Sequence, residues 1–413
     1  VITPAYSPTA TERVLPRMAL DFTTGVLDPR VTVTRALNTA TRVNSSGIVE
    51  GVNANLPRFD YDAVSLAAKG LLIEETRANL LLNSAAIGAA SWNALSGATV
   101  SANIITAPDG TLTADKLVED TSNGAHRTGQ DVVTTAAAHT YSVFLKPAGR
   151  NFALLYTNVG NVGISVNLTT GATSAVPGLS APTATVITPW RDGWFRCAIT
   201  FTATAATNTM YVFLCSDATT FTYTGDGTSG AYIWGAQLEA GAFATSYIPT
   251  TTTSLTRNAD DVSMTGTNFS DWYNASEGTF VATAYAPNGQ ISFSRILEIN
   301  DTTGNNRMLL SRNNAAISCI MTTGGASQAS MAPTGTWSNN AIGTIAFAYK
   351  ANDLSCAFSA NSVATDNAAT IPTLTQMQIG AGAGAAMSNA TFAKINFYPQ
   401  RLTNSEVQSF SKV

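Results

Sequence analysis

Short stretches in which apolar and polar residues alternate, each closed by Gly, Asn, Asp, Ser or Pro, constrain this chain more than any other feature. HTYSVFLKP, FALLYTNV, GISVNLTT, RCAITFTA, TMYVFLCS and GAYIWGAQLE follow one another between residues 85 and 250. Many lie about 8–15 residues apart, the spacing of strands in an antiparallel sandwich. Side chains alternate across a strand, so Tyr141, Val143 and Leu145 fall on one face and Ser142, Phe144 and Lys146 on the other. A second series, from GTFVATAYAP through TIAFAYKA to ATFAKINFYP, runs from about 257 to 413. Charged residues are only 12% of the chain, about half the usual share, too few to clothe long solvated helices. The fold class that follows is all-β, with tandem β-sandwiches.

The chain divides by composition. Residues 1–16, rich in Pro and Thr, read as an extended arm unable to build its own core. Residues 17–84 form a block of short alternating stretches and frequent turns, ending in the apolar run KGLLIEETRANLLLNS with its one charged cluster. Residues 85–250 are the first sandwich, TSYIPTTTTSLT a connector, and residues 257–413 the second sandwich. RLTNSEVQSFSKV closes the chain as a helix, with Thr403 or Asn404 as N-cap, Glu406 in the first turn, and Val407 and Phe410 on one face.

Several function classes are set aside. With 22 basic and 26 acidic residues and no basic block, nucleic acid is not an expected partner. No apolar run reaches the roughly 18 residues of a membrane-spanning helix, so membrane insertion is not expected. The first residues also lack the pattern of a secretory leader. Cys197, Cys215, Cys319 and Cys356 have no close-spaced pairs of the kind zinc sites use. Cys197 and Cys215 read as buried hydrophobes, a bridge between them being the lesser reading. His126 and His139 are the only histidines, and neither GxSxG nor a Walker loop is present. Asp260 and Asp261 would point to opposite faces of a strand and read as exposed charges at a domain boundary, not as a glycosidase pair. GDGTSG (225–230) and NDTTGNN (300–306) read as ordinary turns ahead of calcium loops. The expectation is a protein with no catalytic residue, no cofactor and no metal.

Aromatic side chains are the remaining candidates. Trp234 sits in a strand pattern and reads as core; Trp190 and Trp194, at the mouth of an apolar strand, read as core ahead of a sugar-stacking role. Trp92, Trp272, Tyr273 and Trp337 lie in the turn-rich segments SWNALSG, SDWYNAS and GTWSNN. Loops at sandwich ends carry function, so these four are the candidate ligand-binding residues, with packing over a sandwich edge as their other reading. Arg30, Arg35, Arg58 and Arg77 either pair with acids across subunits or solvate the surface.

Several of these segments resemble one class of protein. GLLIEETRANLLLNS at 70–84 resembles a signature of tailed-bacteriophage virion structural proteins, and LDFTTG at 20–25 and PRFDY at 57–61 are similar to their N-terminal part. APDGTLTADKL at 107–117, DGWFRCAITFTA at 192–203 and YIWGAQLEAGAFATSYIPT at 232–250 resemble the carbohydrate-binding-module-like jelly roll of such proteins. EGTFVATAYAP and INFYPQRLTNSEVQSF are similar to the first and last strands of concanavalin A-like (laminin-G-type) sandwiches. The resemblance implies a virion location, as a compact tail fibre or capsid decoration. It implies residues 17–84 as an anchoring and oligomerisation block toward other virion proteins, a homotrimer, and a bacterial surface glycan as ligand. A virion-borne polysaccharide depolymerase and a secreted bacterial adhesin are the rival readings.

Overall fold

In the computed structural model, which describes residues 15–286, 293–383 and 388–413, the alternating runs become strands of two antiparallel sandwiches. The arm expected over 1–16 lies outside the described residues but for its last two positions. In the first sandwich, a six-stranded sheet runs in the order Ala184–Pro189, Phe195–Thr202, Ala138–Ala148, Gly230–Ala240, Ala114–Glu119, Ala98–Ile105. It faces a five-stranded sheet of Arg127–Val133, Thr207–Cys215, Phe152–Thr157, Val162–Asn167 and Thr173–Ser174. Tyr141, Val143 and Leu145 point into the core between them with Ile199, Phe201, Val212 and Leu214. The opposite face of the same strand is also covered. Ser142 and Phe144 are fully buried, and Phe144 packs with Trp194, Trp234, Tyr247 and Val49 in a separate apolar cluster.

The second sandwich corrects the expected domain boundaries. Its larger sheet runs Ala364–Asp366, Leu354–Phe358, Ile342–Lys350, Glu277–Tyr285, Ala390–Tyr398, Ala68–Ile73, Phe59–Tyr61. Met18–Asp21 also pairs with Ala390–Tyr398, Met18 opposite Phe397. The facing sheet begins with Thr32–Thr34 on Asp261–Thr265 and continues through Gln376–Ile379, Ser294–Asn300, Arg307–Asn313, Ala316–Thr323 and Ala326–Met331. Residues 17–84 are therefore not a block apart from the sandwich assigned to 257–413. Met18, Leu20, Phe22, Val33, Phe59, Leu71 and Ile73 share one core with Phe280, Phe347, Ile395 and Phe397. Short apolar stretches of three or four residues cannot bury their faces alone and find their partners at the far end of the chain. Gly70 marks the closest approach: its φ is +115°, and a Cβ there would overlap the Phe392 carbonyl oxygen.

The chain leaves this sandwich and returns to it through a two-stranded neck, Arg77–Asn79 against Leu255–Arg257. The jelly roll is thus an insertion between the two segments of the second sandwich. At the C-terminus the expected helix forms over Asn404–Phe410. Thr403 is its N-cap, the Thr403 side chain and Glu406 closing a capping box. Val407 packs on Val281, Ala346, Ala348 and Ala357, where alanines let the helix lie close to the sheet. Phe410 stacks on Tyr398 with ring centroids 5.1 Å apart.

Candidate functional site

The charged cluster of GLLIEETRAN sits at the neck, and its charges are paired within the chain. The Asp260 carboxylate accepts from Arg35 at 2.7 Å, from Arg58, and from the Glu74 backbone N–H at 2.9 Å. Glu74 accepts from Arg58 at 2.6 Å, lies 3.0 Å from Arg257, and takes both the N–H and the hydroxyl of Ser246 at 2.7 Å. Burial pushes the Glu74 carboxyl up, but Arg257, Arg58 and Ser246 outweigh it and hold the group down at about 2. Burial likewise opposes the Arg58 charge, yet Asp260 and Glu74 raise it above its ordinary value. Asn79 supports the neck itself. Its amide donates to the Ala236 and Ile248 carbonyls at 3.1 and 2.9 Å and accepts from the Leu81 and Leu238 N–H groups. Arg77 and Arg257 stand opposite each other in the neck, a like-charge pairing that costs stability on its own; Glu75 beside Arg77 and Glu74 beside Arg257 offset it. Gly241 has no Cβ to block the Arg77 guanidinium.

These findings settle several expectations. Asp260 is buried in an ion network, so its reading as an exposed boundary charge is corrected; Asp261 is exposed. Arg35, Arg58 and Arg77 pair with acids of their own chain, and Arg30 with Asp28 at 2.7 Å. The sequence signal was visible as a charged cluster in a charge-poor chain. The partners Ser246, Arg257 and Asp260 were hidden by their distance along it.

A cleft of about 190 Å³ opens beside this network, between the outer face of the six-stranded sheet and the second sandwich. Strand register explains its jelly-roll wall: Thr188, Arg196 and Phe144 lie opposite one another on three adjacent strands, so their side chains share one face. Trp190 is delivered by the tight turn PWRDGW, closed by the Trp190 N–H donating to the Trp194 carbonyl at 2.7 Å. It is half-buried and meets Phe144 edge-on at 5.0 Å. Arg196 lies over the Phe144 ring at 5.6 Å and donates to Ser142 Oγ at 3.1 Å. The opposite wall carries Tyr61, Asp60, Lys69, Tyr285 and Asn389, with Lys69 Nζ 5.3 Å from the Tyr285 ring centroid. Burial raises the Asp60 carboxyl against the pull of Lys69 and the Val43 N–H. Trp190 Nε1, Arg196 Nε and Asn389 Nδ2 have no protein hydrogen-bond partner.

The four aromatic candidates from the sequence are elsewhere. Trp92 is buried in the jelly-roll core, its indole N–H donating to the Asn83 carbonyl at 3.3 Å. Trp272 and Trp337 are buried in the core of the second sandwich, their N–H groups on the Asn268 and Ala341 carbonyls at 2.8 and 2.9 Å. Tyr273 packs on that core and stacks on Phe269 at 4.7 Å. The three indoles present no free face to a ligand, and their ligand-binding reading is corrected. Short turn-rich segments can dip into a core as readily as they can rise from it. Trp194 and Trp234 are core residues, as expected. Asp226 and Asp301 turn their carboxylates onto their own loops, accepting from Thr228, Ser229 and Thr303. Cys197 and Cys215 are buried free thiols, and burial pushes Cys215 up to about 12.

No protein-family model matches the chain, and neither does any curated protein. Among solved structures, it is similar to the Ruminococcus gnavus sialidase module CBM40 bound to α2,3-sialyllactose, at 13% identity and TM-score 0.30 over 34% of this chain and 84% of that one. The NanB sialidase of Streptococcus pneumoniae gives 13% identity and TM-score 0.30 over 36% of this chain and 26% of that one. A pentraxin from Limulus polyphemus gives 10% identity and TM-score 0.26 over 33% and 70%. Each likeness is confined to about a third of the chain, and the architecture above rests on its own sheets and registers.

Proposed function

We propose that this protein is a non-enzymatic virion appendage that binds a bacterial surface glycan in the cleft between its two sandwiches. The observation that carries the glycan reading is the cleft wall itself. A half-buried Trp190, the Tyr61 and Tyr285 side chains and the polar side chains of Arg196 and Asn389 line one space. Flat apolar faces beside hydrogen-bonding groups suit a sugar ring, which is apolar on its faces and polar at its rim. The virion reading rests on the sequence segments at 20–25, 57–61 and 70–84. Contact with capsid or tail proteins, and assembly as a homotrimer, fall to the surface of residues 17–84. There Val26, Leu37, Leu56, Val64 and Leu66 are exposed.

The test is a panel of purified capsule and lipopolysaccharide glycans, scored for binding and for released oligosaccharide in the same reactions. Binding to at least one glycan, weakened ten-fold or more by Trp190→Ala, without release of oligosaccharide, is the expected result. Release of oligosaccharide by the intact protein, lost on replacing one Asp or Glu, would replace this reading with a depolymerase.

A further inference from the structure

The kind of sugar follows from which polar groups around the cleft already have partners. Glu74 is held by Arg58, Arg257 and Ser246. Arg42 pairs with Glu50 at 3.1 Å. Asp62 accepts from the Val64 and Ser65 N–H groups of its own turn. Asp60 accepts the Val43 N–H at 2.9 Å and has Lys69 as its compensating cation. Trp190, Arg196 and Asn389 line the cleft, and Trp190 Nε1, Arg196 Nε and Asn389 Nδ2, donors with almost no exposed surface, lack a hydrogen-bond partner among the described residues.

Unlike Arg42, Arg196 makes no ion pair with a carboxylate of the described residues. Its hydrogen-bond partner is the neutral Ser142 hydroxyl, and it rests on the face of Phe144. Glu239 and Glu74 act on it only through space, and both are engaged elsewhere, Glu239 by Gln237 and Thr245. A guanidinium taken largely out of water without a carboxylate costs free energy that a ligand anion would recover. Its planar fork of N–H donors matches a carboxylate in shape.

We infer that the cleft takes a carboxylate-bearing sugar residue, its carboxylate received by the Arg196 guanidinium between Trp190 and Asn389 in the wall. This rests on the glycan reading above and narrows it to acidic polysaccharides.

The experiment is calorimetric titration of the full-length protein with tri-galacturonate, with 3′-sialyllactose and with any glycan the panel identifies. Each acidic sugar is paired with its carboxyl-reduced or asialo counterpart, and a glycerol-phosphate trimer provides a phosphate arm. At least one acidic sugar binds ten-fold or more tightly than its neutral counterpart in the unmodified protein, a comparison needing no variant. Arg196→Gln removes that preference, and Arg196→Lys restores part of it, each variant keeping a cooperative unfolding transition. Equal binding of acidic and neutral forms overturns the carboxylate assignment and leaves glycan binding standing. Preference for the phosphate oligomer overturns it too. Failure of every sugar, both here and on the panel, removes both readings.

Discussion

The two sandwiches are assembled from the chain in opposite ways. The jelly roll is continuous, entered after Asn79 and left before Leu255. The second sandwich is split, its larger sheet taking strands from Met18–Asp21 at one end of the chain and Ala390–Tyr398 at the other. A split fold must hold its two segments in register where the insertion leaves. Here a buried network of Arg35, Arg58, Glu74, Arg257 and Asp260 occupies that place. Buried ion pairs are weak devices for stability but well suited to specifying one arrangement. The segments that carry the sequence resemblance therefore have a structural role: Glu74, Arg77 and Asn79 build the neck and its ion network, and Gly70 lets its strand approach Phe392.

Truncation should break this contrast most severely. Residues 80–254 alone are expected to unfold cooperatively on heating, with dispersed amide resonances. Residues 257–413 alone, deprived of the strands that cover Ala390–Tyr398, are expected to give neither. Cooperative unfolding of the 257–413 fragment would show that the N-terminal strands are dispensable.

Point changes sharpen the same contrast within the intact chain. Asp260→Ala leaves Arg35 and Arg58 buried without their shared carboxylate and should cost about 3–5 kcal/mol. Urea titration should show the loss in the transition of the split sandwich. Trp272→Ala should cost that sandwich a similar ~3–5 kcal/mol, and Trp92→Ala should fall on the jelly roll instead. If Trp272 were a surface ligand contact, its removal would leave stability unchanged.

Acid should act next. The Glu74 carboxyl is depressed from an ordinary 4.5 to about 2, so its contribution is complete above pH 4.5 and is lost as pH falls from there through about 2. A shift of that size corresponds to about 3 kcal/mol. Glu74→Gln should flatten the urea midpoint over that window, at the cost of a lower midpoint at pH 7. The smallest effect belongs to the C-terminal cap: Thr403→Ala removes one half of a capping box and should lower the split sandwich by about 1 kcal/mol.

Much of the local structure was legible. Tyr141, Val143 and Leu145 point into the core that their alternation indicated, and the helix at Asn404–Phe410 starts at one of its two expected caps. Trp234 is a core residue as its strand pattern implied, and Trp194 is one too. The candidate site was not legible. Trp190 and Arg196 come from one hairpin, but the wall opposite them is built from Tyr61, Lys69, Tyr285 and Asn389, which no local pattern links to it. Trp92, Trp272 and Trp337 misled for the converse reason, because a turn-rich neighbourhood says nothing about which way an indole points.

By itself the sequence determined an all-β chain, the positions of most strands, and the terminal helix with its cap. These depend on alternation, turn residues and capping, interactions that span a few residues. Only the tertiary structure decided that residues 17–79 complete the sandwich of 255–413, that Asp260 is buried, and that Ser142 and Phe144 are covered on the supposed outer face. Each of those depends on contacts between segments far apart in the chain, where side-chain chemistry is the same whether the partner is water or another strand.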